Sequence, residues 1–322
     1  MKYFRFLFEI ERKPHKGPLA VEWVTMGYLL LTTLLILFCY TKMQNPEALL
    51  WGRFRVVMMT LALWLVYRLV PCRFTHFCRV VAQMFLLSWW YPDTYQLNQV
   101  FPNLDPLFAS WEQQLFGYQP ALLFSQTVTS PVFSELMHMG YGSYYTLVFI
   151  VTMFYFIYRN NEFDRTTFII LTSFFIYYVI FVFLPVTGPQ YYYLAAGLDN
   201  IAHGVFPDIG NYFTTHDESL PIPGYADGLF YQFVAGAHAQ GEAPTAAFPS
   251  SHVGITTILL MLAWRSGNRP LFFLILPLLV LICLATVYIQ AHYAIDVAGG
   301  LLSAVIIYLA VSQLWKRWIF NR

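Results

Sequence analysis

The sequence predicts an all-α protein that crosses a membrane repeatedly, as a bundle of about eight transmembrane helices. Hydrophobic residues make up 58% of its 322 residues and charged residues only 11%, whereas soluble proteins carry about 25% charged residues. Apolar stretches that can cross a hydrocarbon layer about 30 Å thick recur from residue 19 almost to the C-terminus. This composition excludes an ordinary soluble domain.

Eight apolar stretches are candidate spans. The first, 19–40, follows a basic segment like that of a signal peptide, but it is longer than the usual apolar region of about 7–15 residues and lacks a small-residue cleavage site, so we expect it to be retained. The stretches 77–92 and 252–265 are shorter than a typical span of ~20 residues, so seven spans is an alternative. The candidates are 19–40, 53–70, 77–92, 133–158, 167–186, 252–265, 270–289 and 292–314.

The positions of lysine and arginine predict the orientation of these spans. Neither residue occurs in 80–158, 166–264 or 270–315. Short cytoplasmic loops accumulate basic residues. Eight spans with both termini in the cytoplasm therefore place nearly all basic residues on the cytoplasmic side, and the exceptions are Lys42, Arg53 and Arg55.

Two long segments, 93–131 and 187–251, face outward in this topology. Loops of this length are usually functional or disordered. Asp93 and Asp105 are expected to be residues of the first outer loop. The net charge of +1 and the dispersed basic residues give no reason to expect a nucleic-acid partner.

The segment 247–254 opens one of the outward-facing span ends. A helix N-terminus presents unpaired amides and a positive dipole end, which together bind anions. Ser250 or Ser251 can cap this helix, and either hydroxyl can donate to a phosphate oxygen. His252 then lies beside the bound anion.

A second polar cluster precedes the last span. His292 and Asp296 are four residues apart, which on a helix places them on one face, where a carboxylate orients an imidazole and raises its basicity. A lone histidine is more often a packed residue, but an acid in an apolar span costs about 2.5–3.5 kcal/mol at the bilayer centre and is functional by default. Both histidine segments fall at the same membrane face.

Other polar residues give weaker predictions. Glu135 and His138 share a helical face at the start of a span, so we expect them either to border the site or to serve as interfacial polar packing. The four cysteines have no ligand-like spacing. We therefore expect neither disulfides nor a metal site.

The two histidine motifs together resemble a known family. Pro249-Ser250-Ser251-His252, followed by His292-Tyr293-Ala294-Ile295-Asp296, is similar to the second and third signature motifs of the type 2 phosphatidic acid phosphatase superfamily, and most similar to its inositol phosphorylceramide synthase branch. The resemblance covers roughly residues 80–315. It implies a six-helix phosphatase-like core without a cofactor, and divides the chain into a cytosolic segment with two accessory helices (1–76), the membrane domain (77–315) and a cytosolic tail (316–322).

The resemblance also implies a role for each motif residue. His292 would attack phosphorus to give a phosphohistidine, with Asp296 holding the ring, and His252 would protonate the leaving alkoxide. Ser250, Ser251 and nearby amides would bind the phosphate oxygens.

The sequence departs from the family pattern at its cations. Where the third motif has an arginine, this chain has Thr286, and the best counterpart of the first motif, 185–191, offers Gln190 for phosphate binding instead of lysine and arginine. A dianionic monoester needs more positive charge in its transition state than a phosphodiester. The loop histidines that could contribute are His203, His216 and His238, each more simply a solvated residue.

These predictions favour an integral membrane lipid phosphotransferase that moves a phospho-head-group from a phospholipid donor to a lipid hydroxyl. The resemblance suggests a phosphoinositide donor and a ceramide-like or diacylglycerol-like acceptor. One alternative is a phosphatase that hydrolyses a lipid phosphate or polyprenyl diphosphate, with water as the acceptor. Another is a non-catalytic lipid-binding or transport protein. We expect an extracytoplasmic active site, periplasmic or lumenal, in a bacterial inner membrane or a Golgi-like membrane.

Overall fold

A computed structural model describes residues 6–12, 14–239 and 243–320, and in these residues every regular element is helical. The prediction of an all-α polytopic bundle is confirmed. The α-helices are α1 (Ala20–Phe38), α2 (Pro46–Leu69), α3 (Arg73–Phe85), α4 (Leu87–Asn98), α5 (Asp105–Phe116), α6 (Pro120–Thr127), α7 (Pro131–Tyr158), α8 (Phe163–Phe183), α9 (Pro189–Ala196), α10 (Leu198–Ala202), α11 (Leu229–Ala239), α12 (Ser251–Ser266), α13 (Arg269–Tyr288) and α14 (Ala294–Phe320).

In the part of the chain that the structure describes, six helices are long and apolar enough to cross a membrane: α1, α2, α7, α8, α13 and α14. Their burial differs according to their place in the bundle. The span that contains α8 is 72% buried, whereas that of α2 is 22% buried. α8 is therefore the central helix, and it packs against α1, α4, α7, α12 and α14.

The two shortest predicted spans differ from the other six. Stretch 77–92 is divided between α3 and α4 at Leu86, and α12 has only 16 residues, or roughly 24 Å at 1.5 Å per residue. Both still connect opposite ends of the bundle. Arg73 at the start of α3 donates to the Phe6 carbonyl, and Asn98 at the end of α4 donates to the Thr245 carbonyl at the other end.

Buried ion pairs join the helices near the N-terminus of the chain. Arg53 forms a two-pronged pair with Asp93, with nitrogen–oxygen distances of 3.0 and 2.8 Å, and Arg79 pairs with Glu22 at 2.6 Å. Asp93 therefore lies in α4 inside the bundle, and its assignment to an outer loop was wrong. The same pair explains why Arg53 departs from the predicted charge pattern, since its charge is neutralised within the protein.

The connections between helices gather at two opposite ends of the bundle. The long-loop end contains 99–130, 184–239 and 243–250, and Gln44 joins it by donating to the Thr214 carbonyl at 2.8 Å. The basic end contains 159–165 and 265–269, where Arg159 donates to the Ser266 carbonyl at 2.9 Å. The two histidine motifs lie together at the long-loop end.

Candidate active site

His292 lies in the turn between α13 and α14, not on a helix as its spacing from Asp296 suggested. Its amide donates to the Thr286 carbonyl at 3.0 Å. Asp296 is in the first turn of α14, where its Oδ2 accepts from the Tyr293 amide at 2.8 Å. This fold-back places Oδ2 3.5 Å from His292 Nδ1, so the carboxylate acts on the ring mainly through its charge.

A backbone carbonyl holds the His292 ring more closely than Asp296 does. His292 Nδ1 is 2.8 Å from the Ala247 carbonyl oxygen. Because a carbonyl only accepts hydrogen bonds, Nδ1 carries the proton and Nε2 keeps its lone pair. The arrangement therefore presents His292 as a nucleophile or base through Nε2.

His252 lies beside His292, in the first turn of α12, with the two ring centroids 5.7 Å apart. Tyr141 stacks on the His252 ring at 4.6 Å, and Tyr144 contacts it at 4.3 Å. Among the described residues, His252 Nδ1 is buried without a hydrogen-bond partner. The tyrosines thus fix the ring by packing, which leaves Nδ1 available for proton transfer.

The predicted phosphate-binding residues divide into two groups. Ser250 caps α12, since its Oγ accepts from the Val253 amide, and its own amide donates to the Asp296 carbonyl at 3.1 Å. These bonds join the two motifs and occupy Ser250. Ser251 and Gln190 do line a cavity with both histidines, although the Gln190 side-chain amide also donates to the Leu220 carbonyl at 2.8 Å.

This cavity, the histidine cavity, has a volume of about 20 Å³, room for about one water molecule. A head group therefore enters only after the walls move apart. A larger cavity of about 530 Å³ lies at the basic end around His76 and Asp164, away from both catalytic candidates. The histidine cavity is lined by Tyr91, Tyr141, Thr187, Gln190, Tyr191, Ala243, Thr245, Ala246, Ser251, His252, Ala291 and His292.

Asp105 lies in the segment that was predicted to be the first outer loop, but it is buried at the start of helix α5. Its carboxylate accepts from the amides of Thr187 and Gly188 at 2.6 and 2.8 Å and from the Tyr293 hydroxyl at 3.0 Å. Burial raises the pKa of Asp105 to about 6, although its hydrogen bonds oppose this. One side chain thus fastens the 187–188 loop to the His292 turn.

Glu112 lies seven residues further along α5, two turns away on the same face. It is fully buried, and Oε1 accepts from the Ala294 amide, while Oε2 has no partner among the described residues. Burial raises the pKa of Glu112 to about 8, and the Asp296 charge acts in the same direction. The roles of Asp105 and Glu112 were not predicted, because the sequence of α5 was assigned to a loop. The spacing of seven residues between these two acids, which places them on one helical face, was a usable signal.

Glu135 and His138 lie outside the histidine cavity. The Glu135 carboxylate accepts from the Phe230 and Tyr231 amides at 2.9 and 3.0 Å, so it caps the start of α11. His138 Nδ1 donates to the Ser134 carbonyl at 2.7 Å, and its ring contacts Tyr231 at 5.0 Å. These contacts favour the packing alternative for both residues.

The three loop histidines also lie outside the lining of the histidine cavity. His203 and His216 are exposed. His238 lies parallel to Tyr191, with ring centroids 6.2 Å apart.

A family model described as the PAP2 superfamily matches residues 106–310, from α5 into α14. The chain belongs to the PAP2 superfamily. It is therefore an integral membrane protein whose family acts on lipid phosphate esters as phosphatases and phosphotransferases. No curated protein and no solved structure matches the chain.

Proposed function

We propose that this PAP2 protein transfers a phosphorylated head group from a phospholipid to the hydroxyl of a second lipid, through a phosphohistidine at His292. The observation that supports this most directly is the hydrogen bond from His292 Nδ1 to the Ala247 carbonyl, 2.8 Å long. It assigns the proton to Nδ1, so Nε2 can attack phosphorus without losing a proton first.

The proposed reaction has two steps. In the first, His292 Nε2 forms a bond to phosphorus, the bond from phosphorus to the diacylglycerol oxygen breaks, and His252 protonates the leaving alkoxide. In the second, the acceptor hydroxyl gives its proton to His252 and attacks phosphorus, and the phosphorus–nitrogen bond breaks. The negative charge of Asp296 Oδ2, 3.5 Å from Nδ1, stabilises the positive charge that develops on His292 in the first step.

The charge balance favours a phosphodiester over a phosphomonoester. No lysine or arginine of the described ranges lines the histidine cavity, and Thr286 holds the position of the family's arginine. The positive groups beside His252 are the first-turn amides of α12 and the helix dipole, which is equivalent to about half a positive charge. A monoanionic phosphodiester suits them better than a dianion.

The ceramide-like acceptor and the extracytoplasmic position of the site belong to the same proposal. The resemblance of segment 248–252 to the inositol phosphorylceramide synthase branch supports the acceptor. The basic residues at the end opposite the histidine cavity support a cytoplasmic position for that end.

The test uses purified protein in vesicles that contain a phospholipid with radioactive phosphorus and a hydroxyl-bearing lipid. We expect the label in a new lipid with the unaltered chain and with the control His203→Ala, which removes an exposed histidine from the same end. His292→Ala should form no product, and acid-labile label should be bound to the protein only when His292 is present.

Two other results would contradict the transferase. Label released only as inorganic phosphate would identify the hydrolase. Product that is formed equally well by His292→Ala would exclude His292 as the nucleophile. Absence of product with every lipid would favour the lipid-binding or transport alternative, since intramembrane acids also occur in transport pathways.

A further inference from the structure

Tyrosine rings from three different helices form the walls of the histidine cavity. Tyr91 comes from α4, Tyr141 from α7 and Tyr191 from α9. Tyr141 also stacks on His252, so the rings lie directly beside the reacting groups. Aromatic faces attract cations within about 6 Å, and they recognise quaternary ammonium groups in this way.

The charges near this cavity are mostly negative. Asp105 binds the 187–188 loop, and Asp296 lies 3.5 Å from His292. No lysine or arginine occurs in 80–158, 166–264 or 270–315, the segments that supply every lining residue. A bound phosphodiester anion would therefore lie near the Asp296 carboxylate, and among the described residues no lysine or arginine lines the cavity to balance the two negative charges.

We propose that the donor brings the missing cation itself, as a zwitterionic phosphodiester whose amino-alcohol head group, choline or ethanolamine, places its ammonium against the rings of Tyr91 and Tyr191. This proposal rests on the proposed function and names its donor class. In these head groups, two carbon atoms separate the ammonium nitrogen from the ester oxygen of the phosphate. The cation thus stays next to the anion, where the α12 N-terminus and the tyrosines lie side by side.

An inositol or glycerol head group fits these features less well. Its hydroxyls can form hydrogen bonds, but they add no positive charge near Asp296. The family resemblance suggests inositol, whereas the charges and rings of this chain favour ammonium. The two donor classes therefore give opposite expectations for one experiment.

The experiment measures diacylglycerol release, because every head group leaves the same product. The protein is reconstituted in vesicles that contain the hydroxyl-bearing acceptor lipid and an equal amount of phosphatidylcholine, phosphatidylethanolamine, phosphatidylglycerol or phosphatidylinositol of matched acyl chains. We expect the choline or ethanolamine donor to have the highest kcat/KM. Tetramethylammonium should inhibit that reaction competitively, whereas sodium at the same ionic strength should not.

Two variants of Tyr191 distinguish the contribution of the aromatic ring from that of the hydroxyl group. Tyr191→Leu should lower the kcat/KM ratio of choline to glycerol donor roughly 5- to 30-fold, equivalent to about 1–2 kcal/mol of cation–π attraction. Tyr191→Phe keeps the ring and should keep the ratio. Tyr145→Leu, the same change at a residue that is 57% exposed, is the matched control.

The possible results distinguish this proposal from the proposed function. Highest kcat/KM with the inositol or glycerol donor, or a ratio unaffected by both Tyr191→Leu and tetramethylammonium, would overturn the ammonium proposal and leave head-group transfer intact. Absence of His292-dependent diacylglycerol from all four donors would overturn both. Because tetramethylammonium is tested on the unaltered chain, the result does not depend on whether a variant folds.

Discussion

Replacing Glu112 by glutamine should change how the stability of the protein depends on pH. The Glu112 pKa rises from 4.5 to about 8 on folding, chiefly through burial. Below pH 4.5 both the folded and unfolded states hold the proton, and stability is greatest. As the pH rises the unfolded chain ionises first, so stability falls until the pH passes the folded pKa near 8. At about 1.36 kcal/mol per pKa unit, the free energy of unfolding falls by about 5 kcal/mol at most.

The glutamine variant removes this pH dependence, but it also lowers the free energy of unfolding by an amount that is the same at every pH. Its oxygen can still accept from the Ala294 amide, but its amide group lies where Glu112 Oε2 has no partner, and a buried unpaired donor costs about 1–3 kcal/mol. That cost is independent of pH. The slope of stability against pH, not the stability at one pH, is therefore the diagnostic quantity.

The assay is thermal unfolding in detergent from pH 5 to pH 9. Glu112→Gln should be less stable than the parent at pH 5. Its stability relative to the parent should then increase steadily as the pH rises to about 8. Glu218→Gln removes an exposed carboxyl at the same end and is the control for a general change in charge. Parallel curves for Glu112→Gln and the parent would refute the conclusion that folding keeps Glu112 protonated.

Three further predictions concern stability and the placement of the loops. Asp93→Asn should cost about 3–5 kcal/mol in detergent unfolding, because it leaves a buried arginine charge unpaired. Gly254→Ala should cost about 1–3 kcal/mol, because its Cβ would overlap the Tyr177 hydroxyl, whereas Gly27→Ala, which has open space around it, should not destabilise. Asp105→Asn should lower kcat at an unchanged tetramethylammonium affinity, since Asp105 positions the loops and does not touch the head group; equal loss of both would contradict this.

Local patterns in the sequence were sufficient to predict much of the bundle. Six apolar stretches became full-length helices because length and hydropathy alone determine whether a segment can cross a bilayer. Ser250 and Ser251 were the two predicted caps because they precede an apolar run, and Ser250 is the one that caps α12. The short stretch 77–92 contains the polar residues Gln83 and Ser88, and it forms parts of two helices that meet at Leu86 instead of one long helix.

The parts of the site that escaped prediction depend on contacts between distant residues. The Ala247 carbonyl that holds His292 is a backbone group, so no side chain in the sequence marks it. Glu135 had a plausible helical spacing, but its partners are amides almost 100 residues away, a relation that spacing within a helix cannot reveal. The stabilisation of His292 was likewise assigned wholly to Asp296, since carboxylates are visible in a sequence and carbonyls are not.

The acids of α5 and the missing cations have a common physical consequence. An arginine beside His292 would neutralise neighbouring carboxylates, so a site without one must limit their charge in another way. Burial does this for Glu112, whose pKa of about 8 keeps it mostly neutral at pH 7, while it still accepts the Ala294 amide at the turn before Asp296. Asp296 then remains the carboxylate whose charge acts on His292, and a donor that carries its own ammonium adds no net negative charge when it binds.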